Sequence, residues 1–113
     1  MTGALLVFAG GGLGSLLRYL AALLVHGPLA TFAVNVVGSF AIGLLAAAIP
    51  IEVSPARLFL ITGLLGGFTT FSAFSLDAIG LVQHGELGRA AAYVLATVVL
   101  SLAAAAAGVA VAR

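Results

Sequence analysis

Apolar residues fall into four long stretches along this chain, and the polar and helix-breaking residues gather between them. The first stretch covers 5–25 and is stopped by His26-Gly27-Pro28. The second covers 31–49 and is closed by Pro50-Ile51-Glu52-Val53-Ser54-Pro55, which joins a charge to two helix breakers. The third covers 56–83, with Ser54 placed to cap its start, and fades at Gln83-His84-Gly85-Glu86. The fourth covers 88–112. A helix needs roughly 20 apolar residues to cross the hydrocarbon core of a bilayer. The pattern therefore predicts an all-α membrane protein, a single domain (1–113) of four spans with both termini on one side.

One segment departs from this pattern. Gly66-Gly67-Phe68-Thr69-Thr70-Phe71-Ser72-Ala73-Phe74-Ser75 mixes glycines, hydroxyls and regularly spaced phenylalanines inside the third apolar stretch. It predicts a helix broken at 66–70 in mid-membrane. A backbone that leaves helical geometry in hydrocarbon exposes amides and carbonyls at a cost of several kcal/mol each, unless protein, ion or water satisfies them. A break there points to a site, and its expected task is ion handling.

Composition supports the membrane reading and narrows the function. Of 113 residues, 64% are hydrophobic and 6% charged, with mean hydropathy +1.35; soluble domains carry roughly a quarter charged residues. No soluble core of this length hides so much apolar surface. A net charge of +1 offers nothing to nucleic acid, and the lack of cysteine removes disulfides and thiolate metal sites. Met1-Thr2-Gly3 lacks the basic start of a cleavable signal, so the first stretch is expected to remain as a span. Arg57 and Arg113 fall on the side of the termini, Arg89 and Arg18 towards the other. Such a balance gives the positive-inside rule little to act on and is compatible with insertion both ways up.

Small residues four apart, Gly10 and Gly14, Ser39 and Gly43, Gly63 and Gly67, read as the ordinary device for bringing membrane helices close. Gly10-Gly11-Gly12-Leu13-Gly14 has a superficial likeness to a nucleotide loop, but no strand precedes it and Ser15 stands where the last glycine belongs. Polar residues inside the spans are more telling. Arg18 at mid-helix depth must face protein or water, or reach a headgroup along its stem. Asn35, in Val34-Asn35-Val36-Val37, is too short for that escape. It either bonds to a neighbouring helix or offers an N–H to a permeating anion.

On a helix resuming at Phe71, residues three and four apart share a face. Phe71, Phe74, Ser75 and Ala78 then form a stripe with Asp77 at its margin. Phenyl edges carry the positive part of the ring quadrupole, so such a stripe can face an anion without binding it too tightly for passage. Thr97 and Ser101 extend a polar line along the fourth span. Hydroxyls in membrane helices often bond back to their own i−4 carbonyl, so that pair alone weighs little.

Three ordered blocks carry a resemblance: Gly11-Gly12-Leu13-Gly14-Ser15-Leu16-Leu17-Arg18-Tyr19, Thr31-Phe32-Ala33-Val34-Asn35-Val36-Val37-Gly38-Ser39-Phe40, and the run from Thr62 to Ser75. In these the chain resembles the Fluc (CrcB) family of fluoride channels over nearly its whole length. The resemblance implies passive export of toxic fluoride across a prokaryotic inner membrane, through two pores shared by an antiparallel, dual-topology homodimer in lipid. It further implies that Phe71 and Phe74 form an aromatic box, that Asn35 coordinates fluoride and that Thr97 and Ser101 lie on a polar track. Thr70, Ser75 and Asp77 complete the expected pathway. Backbone carbonyls of Gly66 and Thr69, from both subunits, would hold a structural sodium ion, and Arg18 matches the family arginine of the pore vestibule. Two positions depart from the pattern: Asp77 stands where glutamate is usual, and Ala105 where a further hydroxyl is expected.

Other classes fit less well. A small multidrug antiporter has similar size, but its coupling needs a carboxylate in the first span, which is absent here. A purely structural subunit leaves Asn35, Thr69, Thr70 and Ser72 without a reason to coexist. No cluster of His, Cys or carboxylate offers a nucleophile and base for an enzyme, and His26 and His84 fall in loops.

Overall fold

Four helical stretches long and apolar enough to cross a membrane make up the computed structural model, which describes residues 1–113. They are α1 (Thr2–Leu24), α2 (Pro28–Ala48), a composite third span, and α6 (Leu87–Ala112). The third span consists of α3 (Pro55–Arg57), a π-helical stretch (Leu58–Leu65), α4 (Gly66–Phe68) and α5 (Phe71–Gln83). Pro28, which reads as a stop for the first stretch, is instead the first residue of α2. Proline at that position loses no hydrogen bond and has its φ preset for the helix. Gly27 turns the chain just before it with φ 70. Ser54 caps the third span as the sequence predicts, its Oγ accepting from Arg57 N–H at 3.2 Å.

Two helix pairs organise the packing: α1 lies along the first half of the third span, and α2 lies along α6. Both contacts depend on glycine. A Cβ on Gly14 would run into the Leu64 carbonyl, and one on Gly67 into the Gly11 carbonyl. Across the other pair, a Cβ on Gly43 would meet the Ala105 carbonyl and one on Gly108 the Phe40 carbonyl. Backbone therefore packs on backbone, the device by which membrane helices gain dispersion contacts that lipid cannot match.

The interruption of the third span is narrower than the sequence predicts. Gly66 keeps helical geometry (φ −61, ψ −37), and only Thr69 (φ −88, ψ 157) and Thr70 (φ −153, ψ 124) are extended. Gly63 and Gly67 serve close approach to α1 rather than release of the backbone, while Gly66 touches no other helix. The chain buries little of itself: 14 of 113 residues are buried, while Phe8, Leu24, Leu76 and many other large apolar side chains are exposed. Apolar surface on that scale is suited to lipid or to another copy, not to water.

Candidate functional site

The site begins with the hydrogen bonds that keep Thr69 and Thr70 extended. Asn35 on α2 reaches across to Thr70, its Nδ2 donating to the Thr70 carbonyl at 2.9 Å and its Oδ1 accepting from the Thr70 N–H at 2.8 Å. The Thr70 hydroxyl caps α5 by accepting from Ala73 N–H at 3.1 Å. Thr69 Oγ1 donates back to the Leu65 carbonyl at 2.9 Å. In an unbroken α-helix the Thr70 N–H would go to the Gly66 carbonyl, and the Ala73 N–H to the Thr69 carbonyl. Asn35 and the Thr70 hydroxyl take those two donors, so the carbonyls of Gly66 and Thr69 lose their helical partners. Two backbone oxygens, one turn apart, are thereby left with acceptor capacity for a hard cation. The residues present fit such an ion.

Beside the break lies a groove of about 350 Å³ lined by Asn35, Ser39, Thr69, Thr70, Phe71, Phe74, Thr97, Val98, Ser101 and Leu102. The fold thus brings seven of the sequence-predicted residues (Asn35, Thr69, Thr70, Phe71, Phe74, Thr97 and Ser101) to one surface. The rings of Phe71 and Phe74 stand 5.5 Å apart and tilted, and Tyr93 continues the contact at 5.3 Å from Phe74. Phe74 is buried, while Phe71 is 77% exposed and forms the open lip. The hydroxyls of Thr97 and Ser101 are buried without a hydrogen-bond partner; they do not bond back to their own helix. A buried donor left unpaired costs about 1–3 kcal/mol, so these two hydroxyls do not add to the stability of the single chain.

The remaining predicted residues lie elsewhere. Ser75 bonds back to the Phe71 carbonyl at 2.9 Å. Asp77 ties three helices together, accepting from Thr31 Oγ1 at 2.8 Å and from Tyr93 Oη at 3.3 Å. Arg18 lines a second cavity of about 380 Å³ with Ser15, Thr31 and Thr70, and its Nε donates to the Gly67 carbonyl at 3.2 Å. Thr70 lines both cavities. The sequence reading missed Thr31, Ser39 and Tyr93, although a signal was present: Thr31-Asn35-Ser39 and Tyr93-Thr97-Ser101 are two polar stripes at four-residue spacing. One residue pair further along, Gly43 packs on the backbone of Ala105. The helices touch there, so a hydroxyl at Ala105 would have no groove to face.

Residues 5–109 match the family model described as CrcB-like protein, Camphor Resistance (CrcB). The chain belongs to the CrcB family. Curated relatives in this family share about half of its sequence over nearly its full length. A protein of Agrobacterium fabrum named fluoride-specific ion channel FluC is 50% identical, covering 96% of this chain and 94% of the relative. A protein of the same name from Rhizobium meliloti is 52% identical over 100% and 98%. One from Nitrobacter hamburgensis, named fluoride-specific ion channel FluC 2, is 46% identical over 96% and 95%. This CrcB-family chain is therefore a multi-pass membrane protein by both its helices and its kinship.

Proposed function

We propose that the chain is a passive, fluoride-selective channel of a prokaryotic cell membrane, and that it works as two antiparallel copies with a pore along each groove. The observation that carries this reading is the groove itself, which two residues with unpaired buried hydroxyls, Thr97 and Ser101, line together with Phe71 and Phe74. Its relatives' names supply the ion. Fluoride is small and holds its water strongly, so a path for it must replace that water with closely spaced donors. The Thr97 and Ser101 hydroxyls, the second Nδ2–H of Asn35 and the positive ring edges are such donors. No full positive charge lines the groove, which suits passage over tight binding. Arg18 stands back in the adjoining cavity, where it can draw anions towards Thr70 without trapping them.

A second copy is favoured because Phe71, at the lip of the groove, is exposed in a single chain, and because lipid would offer the Thr97 and Ser101 hydroxyls no hydrogen-bond partner. With the break at mid-membrane depth, the Gly66 and Thr69 carbonyls of two copies would supply four oxygens to a structural sodium ion. The sodium would fix the copies to each other; the chain's own part is to hold those carbonyls free of helical donors. The test is anion efflux from liposomes carrying the purified protein. Fluoride should leave without a proton gradient while chloride is retained. Equal permeation of both ions, or flux that requires a proton gradient, would remove this reading.

A further inference from the structure

One face of α2 meets the interruption of the third span at two places. Asn35 grips both the N–H and the carbonyl of Thr70, and one turn along, Gly38 lies under Thr69. A Cβ built on Gly38 would collide with the Thr69 methyl, Cγ2, and come within 3.3 Å of the Phe68 ring. The Thr69 side chain is held from the other end as well, because its hydroxyl donates to the Leu65 carbonyl. Turning that methyl away from a Cβ at Gly38 would cost the bond to Leu65.

We propose that Asn35 and Gly38 are positioning residues that form a preset clamp: α2 holds Thr69 and Thr70 extended by gripping the N–H and carbonyl of one residue and seating the neighbouring methyl in a notch that only glycine leaves. The clamp determines which carbonyls lose their helical donors and how α5 is rotated when it resumes at Phe71. It therefore aims the Phe71 and Phe74 rings into the groove. This deepens the channel reading and rests on it for its consequence for flux, but not for the clamp itself. Gly38 lies outside the groove lining, so its effect on transport must pass through the residues it touches, Thr69 first and the Phe68 ring beside it.

A four-way comparison tests the notch: wild type, Gly38→Ala, Thr69→Ser, and the two substitutions together. Serine keeps the hydroxyl that bonds Leu65 and deletes only the methyl that an alanine at Gly38 would strike. Fluoride efflux per reconstituted protein and thermal unfolding in detergent are read on all four. Gly38→Ala should lower flux by about tenfold and lower the unfolding temperature, as overpacking does. The double variant should return to within about threefold of Thr69→Ser alone, with its unfolding temperature restored, a coupling that only contacting residues show. A double variant as impaired as Gly38→Ala would overturn the notch. If Gly38→Ala does not fold, a folded double variant supports the clamp and an unfolded one overturns it. If wild-type protein moves no fluoride, the channel reading falls and the unfolding temperatures alone decide the clamp.

Discussion

Thr97 sets stability against function in one side chain. Its hydroxyl is buried and unpaired, and valine has nearly the same shape without it. Thr97→Val should raise stability by about 1 kcal/mol, because the uncompensated polar group is removed, and should lower fluoride flux at the same time. Thermal unfolding and efflux measured on the same preparation decide this; lost stability would mean that the hydroxyl has a partner in the assembled protein. The phenylalanines divide differently. Phe74 is buried between Phe71 and Tyr93, whereas Phe71 is exposed. Phe74→Leu should cost about 1 kcal/mol of stability and Phe71→Leu little, yet both should cut flux by about tenfold or more if ring edges solvate the ion. Near-wild-type efflux from both variants would remove the aromatic path. Asn35→Asp should abolish flux for two reasons: the carboxylate cannot donate to the Thr70 carbonyl, and when ionised it repels the anion.

Among the elements, helix pairing is governed by glycines whose sequence context looks alike but whose surroundings differ. Gly14 and Gly108 lie against the backbone of a facing helix, while Gly12, two residues from Gly14, has nothing within 4 Å of where a Cβ would stand. Gly14→Ala and Gly108→Ala should each destabilise by about 1–3 kcal/mol, since backbone cannot swing aside as a side chain does. Gly12→Ala should be neutral or slightly stabilising in a single chain, because alanine is the better helix former. Unfolding in detergent gives the order. A loss at Gly12 equal to that at Gly14 would place a further surface over Gly12, as a second copy of the chain would provide.

For the whole molecule, the positive charges that might orient insertion are four arginines and no lysine, with Arg57 and Arg113 towards one side and Arg89 and Arg18 towards the other. Little bias remains to choose one orientation. The chain has no cysteine, so Gly88→Cys, in open space at the start of α6, gives a unique label. It should react from both sides of the membrane in comparable amounts. Labelling from one side only, in protein that transports, would exclude antiparallel pairing.

Legibility in the sequence followed the range of the interactions involved. Membrane class, the number of spans and the neighbourhood of the break are written in runs of apolar residues and in local breakers, since hydrophobic length and turn chemistry act within a few residues. The polar stripe of α6 was half visible for the same reason, and Tyr93 would have completed it by spacing alone. The width of the break was not visible: Gly66 and Gly67 look like helix breakers, yet Gly66 stays helical and only the approach of Gly11 makes Gly67 a packing residue. Nor could the sequence choose between the two readings of Asn35. The tertiary structure places Thr70, 35 positions away, against its amide, and so supplies the interhelical bond; the proposed contact of its second N–H with fluoride is a further step. Asp77, likewise, could be placed beside the phenylalanine stripe but not joined to Thr31 and Tyr93. Partners so distant along the chain meet only when helices pack, and which glycines let those helices touch is decided by the shape of the facing backbone.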